Sequence, residues 1–340
     1  MSRAWGPPGP GETAGPRAPG STAVPGTGAH GQRDVQYGYH RELFPALHDW
    51  ERTERSIVGF TGEEGPSGLL GLDQMGHFGP QGCDLVADAV VTALGPGRST
   101  VDLCELGSGF GGALRYTVDR LATRGVTVRR AFGVDLVAEH CAVSRRISRA
   151  QGREAVTELC ASATAVPLAD AALDVVVVTG SMPHFPRPGD VLREAGRLLR
   201  PGGLLVLTEE VGLRPGDEEP SAAFRATHPP EVFFTTSLTD RMRQFAHAGF
   251  ADVERRDLTE WAVELLAERL KVVRIFRGSV AGIYGTESTD LIRDTLMAAR
   301  EEYLAGRSLP TLFTARRSGR GAASAAPATG PRRAHRAADS

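Results

Sequence analysis

Three groups of residues in this sequence have types and spacings that could do chemistry. The first is a run of closely spaced glycines, Gly107, Gly109, Gly111 and Gly112. Without a Cβ, such residues allow a tight turn and let a ligand approach the main chain. The second is Asp135, which closes the apolar run Ala131-Phe132-Gly133-Val134. A carboxylate at a strand end can accept both hydroxyls of a ribose, or it can serve the strand end structurally. The third is His184, a few residues beyond the run Val175-Val176-Val177-Val178. An imidazole there can take a proton from a nucleophile, or simply order its loop.

These residues need a scaffold, and the hydrophobic pattern supplies one. The run Val101 to Leu106 enters the glycines, and Leu114, Val118 and Leu121 follow at helical spacing. Strand, glycine turn and helix form the opening unit of a nucleotide-type α/β fold. Further strands are predicted at Ala131–Asp135, Val156–Cys160, Val175–Val178, Leu204–Thr208, Phe250–Leu258 and Thr311–Ala315. The β-branched fourth run suits a central strand buried on both faces. Helices are predicted over Cys83–Leu94, around Val143 and Ile147, and over Asp190–Arg200. Another follows Ser237 and Asp240 and carries Met242 and Phe245, and two more lie between the last two strands. Near the start, one or two helices are expected, broken near Pro45 and Gly59.

Composition narrows the field. The chain has 340 residues and a formal net charge of -2, which gives no electrostatic case for nucleic acid. No apolar run approaches the length of a membrane span, and the N-terminus lacks a signal-peptide core. Cys83, Cys104, Cys141 and Cys160 show no metal-ligand spacing and read as reduced, buried thiols of a cytoplasmic protein. Residues 1–31 and 318–340 are Gly-, Pro-, Ala- and Ser-rich or Arg-rich, too poor in apolar surface to pack, and are expected to be disordered tails.

The glycines alone fit two patterns. Gly107, Gly109 and Gly112 satisfy G-x-G-x-x-G, which would suit a nicotinamide-dependent oxidoreductase. Glu105, Gly107, Gly109 and Gly111 satisfy E-x-G-x-G-x-G, which resembles motif I of the class I S-adenosylmethionine (SAM) dependent methyltransferases. Later segments favour the second. Ala161 to Asp174 resembles that family's G-D-A-x-x-L-P-F-x-D-x-x-F-D stretch, with Ser162 where the family has aspartate and Ala163 matching. Arg197-Leu198-Leu199-Arg200-Pro201-Gly202-Gly203 before an apolar strand resembles its late motif. Leu72 to Pro80 resembles its D-Q-x-H-x-G stretch, with His77 one position later.

The resemblance implies a Rossmann-like α/β fold with a seven-stranded, mostly parallel sheet, helices on both faces and an antiparallel last strand. It implies a methyltransferase domain over 32–317: lid helices in 32–72, a cofactor-binding core in 73–210 and a substrate-facing part in 211–317. SAM is the implied cofactor and a small molecule of secondary metabolism the implied acceptor, methylated on O, N or C. Glu105, Gly107, Ser108, Gly109 and Gly111 would hold the methionine end. Asp135 and Leu136 would hold the ribose side, Ser162 and Ala163 the adenine, with Gln74 and Thr179 nearby. His184 is the first candidate base and His77 the second. A non-catalytic protein binding SAM or S-adenosylhomocysteine (SAH) is the alternative, and a homodimer is left open.

Overall fold

The computed structural model describes residues 29–61, 73–97, 99–153, 155–212 and 219–319. The expected tails over 1–31 and 318–340 lie outside these, apart from their inner ends. Residues 29–31 do not belong to a tail: they open helix α1, Ala29–Leu43. Helix α2, Pro45–His48, and helix α3, Trp50–Thr61, follow. Pro45 starts a helix, where its missing N–H costs nothing. Gly59 does not break one: α3 runs through it, and the interruption falls at Asp49 instead. The stretch 62–72 of the expected lid lies outside the described residues.

The core then alternates helix and strand. Helix α4 spans Gly79–Leu94, strand β1 Thr100–Leu106 and helix α5 Gly112–Thr123. Strand β2 is Thr127–Asp135, helix α6 Ala138–Ala150 and strand β3 Val156–Cys160. Strand β4, Leu173–Thr179, passes through a 3-10 turn at Met182–His184 into helix α7, Pro188–Leu198. Strand β5 covers Leu199–Gly212, and its register against β4 shifts between Leu199 and Leu204, where Gly202 has the positive φ of a turn glycine.

The later part holds helix α8 at Ala222–Thr227, the two-residue strand β6 at Thr236–Ser237 and helix α9 at Leu238–His247. Strand β7 is Phe250–Asp257, followed by helices α10, Thr259–Ile275, α11, Arg277–Tyr284, and α12, Thr286–Leu304. Strand β8, Ser308–Arg317, closes the series. Ser237 caps α9 as its type predicts, accepting from the Asp240 amide. Helices α8 and α11 were not legible in the pattern, and Met242 points outward.

The sheet order is β3-β2-β1-β4-β5-β8-β7, with β6 pairing β5 off this path. Pairs among β1 to β5 are parallel, and β8 runs antiparallel to both β5 and β7. Alternation along the strands splits the core in two. Cys104, Leu106, Val176 and Val178 face α7 and α9 through Val191, Leu192 and Phe245. Leu103, Val175 and Val177 face α4 and α5 through Val86, Val90, Leu114 and Leu121. The four valines of β4 are therefore buried on both faces of the sheet.

The chain order reverses between β1 and β4, so a crevice opens at the carboxyl ends of the strands there. Helices α2 and α3 reach this edge: Leu47 and Trp50 pack with Phe110 of the glycine turn, Ile147 and Tyr284. Among the four thiols, Cys83, Cys104 and Cys141 are buried. Cys160, expected to be buried, is exposed because β3 is the edge strand. No described helix is long and apolar enough to cross a membrane, and no described group of His, Cys, Asp and Glu could hold a metal ion.

Candidate functional site

The glycine turn lies at the end of β1. Gly107, Gly109 and Gly111 all have positive φ, the region where only glycine is unstrained. The amides of Gly107 and Ser108 both donate to the Val134 carbonyl, and the Ser108 carbonyl accepts from Gly111, so the turn is fastened to β2 and to itself. A Cβ on Gly107 would lie 2.5 Å from Ser181 Oγ, which itself donates to the Leu106 carbonyl at 2.8 Å. Gly112 has ordinary helical geometry but a different constraint: its Cβ would lie 2.5 Å from the Asp73 carbonyl oxygen.

A buried network outside the predicted site residues holds this turn. The Arg115 guanidinium donates to Asp73 at 2.9 Å and to the Phe110 carbonyl at 2.7 Å. It also donates to the hydroxyls of Ser144 and Ser148, which in turn donate to Glu158 at 3.0 and 2.6 Å. One arginine thus ties the glycine turn to α6, β3 and the segment before α4.

Glu105 is fully buried behind the turn, and its Oε2 has no partner. Burial pushes its carboxyl up to about 8, with the Thr179 hydroxyl and the Arg115 charge offsetting only part. A buried acceptor of this kind beside the glycine turn fits the ammonium of an amino-acid ligand such as the methionine end of SAM. Gln74 is buried and takes the Cys83 thiol at 3.5 Å, while the Met75 side chain lies over Gly109.

Asp135 closes β2 as predicted. Its Oδ2 accepts from the Gly109 amide at 2.9 Å. Its Oδ1 accepts from the Val137 amide at 2.9 Å and from His140 Nδ1 at 3.1 Å. Burial raises the carboxyl, but these three donors together hold it below its usual value. Leu136 follows, its carbonyl facing the Cys160 thiol. Ser162 spends its hydroxyl locally, accepting from the Thr164 amide and pairing with the Thr164 hydroxyl at 2.8 Å. Ala163 is buried against Val134, Val166 and Leu173.

His184 stands beyond β4 in the 3-10 turn. Its Nδ1 donates to the Val232 carbonyl at 2.9 Å, which leaves Nε2 as the acceptor, and burial holds the imidazole below its usual value. Tyr39, His40 and Phe233 surround the ring. His77 has other company. Its Nδ1 is 3.2 Å from Glu210 Oε1, which also accepts from Tyr303 at 2.8 Å. Its Nε2 is 3.4 Å from His228 Nε2. His228 Nδ1 in turn lies 2.9 Å from the Thr227 hydroxyl and 3.2 Å from the Phe224 carbonyl. Both His77 nitrogens are thus engaged by protein groups, Nδ1 by Glu210 and Nε2 by His228. Burial raises Glu210, but the bond and charge of His77 outweigh this and hold it below its usual range.

The structure therefore brings Glu105, the glycines, Ser108, Asp135, Leu136, Thr179 and His184 to one edge of the sheet. It adds Arg115, His140, His40, His48, Glu210 and His228, none of which the sequence reading singled out. A charged residue on the buried face of α5 was the available signal for Arg115.

Comparisons with known proteins agree with this architecture. Residues 104–207 match the family model described as a methyltransferase domain. A sarcosine/dimethylglycine N-methyltransferase of Halorhodospira halochloris is 30% identical over 117 residues, 34% of this chain and 39% of that relative. The match thus spans well under half of either protein. Two solved structures share the fold. Phosphoethanolamine N-methyltransferase 2 of Haemonchus contortus has TM-score 0.58 and 19% identity, covering 69% of this chain and 53% of that one. Geranyl diphosphate C-methyltransferase of Streptomyces coelicolor A3(2) has TM-score 0.52 and 20% identity, covering 68% and 78%. The alternating strands, the glycine turn beside Glu105 and the antiparallel β8 agree with the match of residues 104–207 to the methyltransferase-domain model and with the fold of these solved structures.

Proposed function

We propose that the protein transfers a methyl group from SAM to a small-molecule acceptor at the carboxyl edge of β1, β2, β4 and β5. The observation that carries this reading is the buried Glu105 carboxyl, whose unpartnered Oε2 lies behind a glycine turn of positive φ. Glu105 and Gly107 to Gly111 would hold the amino-acid end of SAM, and Asp135 marks the ribose end. SAM supplies an activated sulfonium methyl, so the chain's own work is to align the acceptor, exclude water and receive a proton.

His184 is our candidate for the proton. Its tautomer is fixed by Val232, it is neutral near pH 7, and it stands where the ligand edge of such sheets lies. His77 is committed to Glu210 and His228 and is better read as a positioning residue. The partial curated relative acts on sarcosine and dimethylglycine nitrogen, which supports an amine acceptor over oxygen or carbon. The buried thiols support a reducing, cytoplasmic setting.

The test is turnover of SAM to SAH with a panel of small amines, amino acids, alcohols and phenols. Product with one class identifies the acceptor atom. SAM binding without any SAH formation would favour a non-catalytic binding protein, and absence of SAM binding would end the reading altogether.

A further inference from the structure

The exposed apolar side chains of this protein are not scattered. Among the described residues, five of the seven large ones open to solvent belong to α10, its end and α12: Val272, Ile275, Phe276, Met297 and Leu304. Val272, Ile275 and Phe276 form one tip, 51, 59 and 48% exposed, where α10 gives way to α11. Lys271 and Arg274 flank them and are also exposed. Three large apolar groups turned to water at one helix end mark a contact surface.

The opposite end of the same helix has the complementary shape and charge. There the first turns of α10 and the end of α12 border an open groove of about 580 Å³. Val263, Tyr303 and Leu304 give it an apolar lining, and Glu260 and Glu264 give it carboxylates. Neither glutamate is in an ion pair with a described residue. Asp257, also at the groove, accepts from the Thr259 amide at 2.9 Å, and Arg300 beside it donates to the Val263 carbonyl at 3.1 Å. Along α10, then, Glu260, Glu264 and Glu268 recur at four-residue spacing and Lys271 and Arg274 follow. The helix macrodipole favours this order only in the first and last turns, and it gives no reason for the apolar tip.

We infer that α10 is the seam of an isologous dimer, in which the apolar tip of each copy enters the acidic groove of the other. Two α10 helices running antiparallel about a two-fold axis between Arg269 and Leu270 make both contacts at once. That register sets Lys271 against Glu268 of the second copy, Arg274 against Glu264 and Phe276 over Val263, so the charged and the apolar contacts agree. A second copy suits this surface better than an anionic membrane does. Lys271 lies 3.5 Å from Glu268 and Arg277 2.8 Å from Asp290 within the chain, so the tip holds little surplus positive charge. The exposed Lys271–Glu268 pair is worth little inside one chain and is easily exchanged for the same pair between copies.

Light scattering after gel filtration of the full chain tests this. The wild type is expected at twice the chain mass. Glu264→Lys with Glu268→Lys, and separately Lys271→Glu with Arg274→Glu, should each weaken dimerisation by about 100-fold or more, because like charges then meet along the seam. Mixed in equal amounts, these two variants should pair with each other, since opposite charges face again at every one of those contacts. Phe276→Ala leaves all charges in place and should weaken the dimer about 10-fold. All five positions are exposed, so circular dichroism should match the wild type. A wild type that is monomeric at about 100 μM would overturn the inference. So would charge variants that dimerise as the wild type does, or a mixture that stays monomeric. Binding of a monomeric wild type to phosphatidylglycerol vesicles would assign the tip to a membrane surface instead.

Discussion

Arg115 meets Asp73 at 2.9 Å with both side chains buried, and its guanidinium also holds the Phe110 carbonyl of the glycine turn. The pair joins residues 42 positions apart, one before α4 and one within α5. Removing one partner would leave a charge buried alone, which costs far more than removing both.

Arg115→Met should therefore destabilise the domain by about 3–5 kcal/mol, and the double change with Asp73→Asn should cost clearly less. Urea denaturation measures both. A loss below about 1 kcal/mol for the single variant would show that the pair bears little of the fold. The same variant should weaken SAM binding, since the Phe110 carbonyl loses its anchor.

Glu105 should make stability fall with rising pH. Its buried carboxyl is raised to about 8, against an ordinary 4.5, so between these values the folded state holds a proton that the unfolded state has lost. Stability from this group is fully present below pH 4.5 and declines toward pH 8, by up to about 1.4 kcal/mol per unit. His48 and His228 act oppositely: burial first, then the neighbouring His140 or His77, lowers them to about 4 and about 3. Their contribution is lost as pH falls below 6.5. From pH 6.5 to 8 the Glu105 slope should stand clear of theirs, and Glu105→Gln should flatten it. Identical pH profiles for the variant and wild type would refute the assignment.

His184→Ala should lower turnover by about 100-fold or more while SAM affinity changes little. Because burial lowers the imidazole, the acid limb of the rate profile should lie below pH 6.5 and vanish in the variant. Retained turnover with weakened acceptor binding would instead make His184 a contact or loop residue.

Gly112→Ala should cost about 1–3 kcal/mol, although its φ is unremarkable. The obstacle is main chain: the new Cβ would lie 2.5 Å from the Asp73 carbonyl oxygen, which cannot rotate away as a side-chain tip can. Thermal unfolding compared with wild type checks this, and an unchanged midpoint would mean that the two segments part easily.

Much of this was legible in the sequence because the parallel strands are short, continuous apolar runs. Val175 to Val178 announce a central strand, and Glu105 with its glycines announces the turn that follows β1. The misreadings share a cause, which is that local signals lost to packing. Gly59 signals a break, but α3 continues through it. Arg115 and His140 escaped notice because their partners come from distant segments: Asp73 and Glu158 for one network, His40 and His48 for the other. No spacing rule links such residues. His140 is also only five positions from Asp135, and its surroundings form only when α1 and α2 fold over it.

The placement of β8 between β5 and β7 has a consequence for biosynthesis. Strand β7 is made more than a full helix pair before β8, yet β8 is its bonding partner in the sheet. As the chain leaves the ribosome, β5 and β7 emerge with open edges and wait through α10, α11 and α12 for Ser308–Arg317. Unpaired edges of this kind recruit other strands, so this interval is when the nascent chain is most exposed to aggregation. A stop anywhere before Ser308 would freeze that state and leave Phe313, fully buried in the finished core, out of the fold.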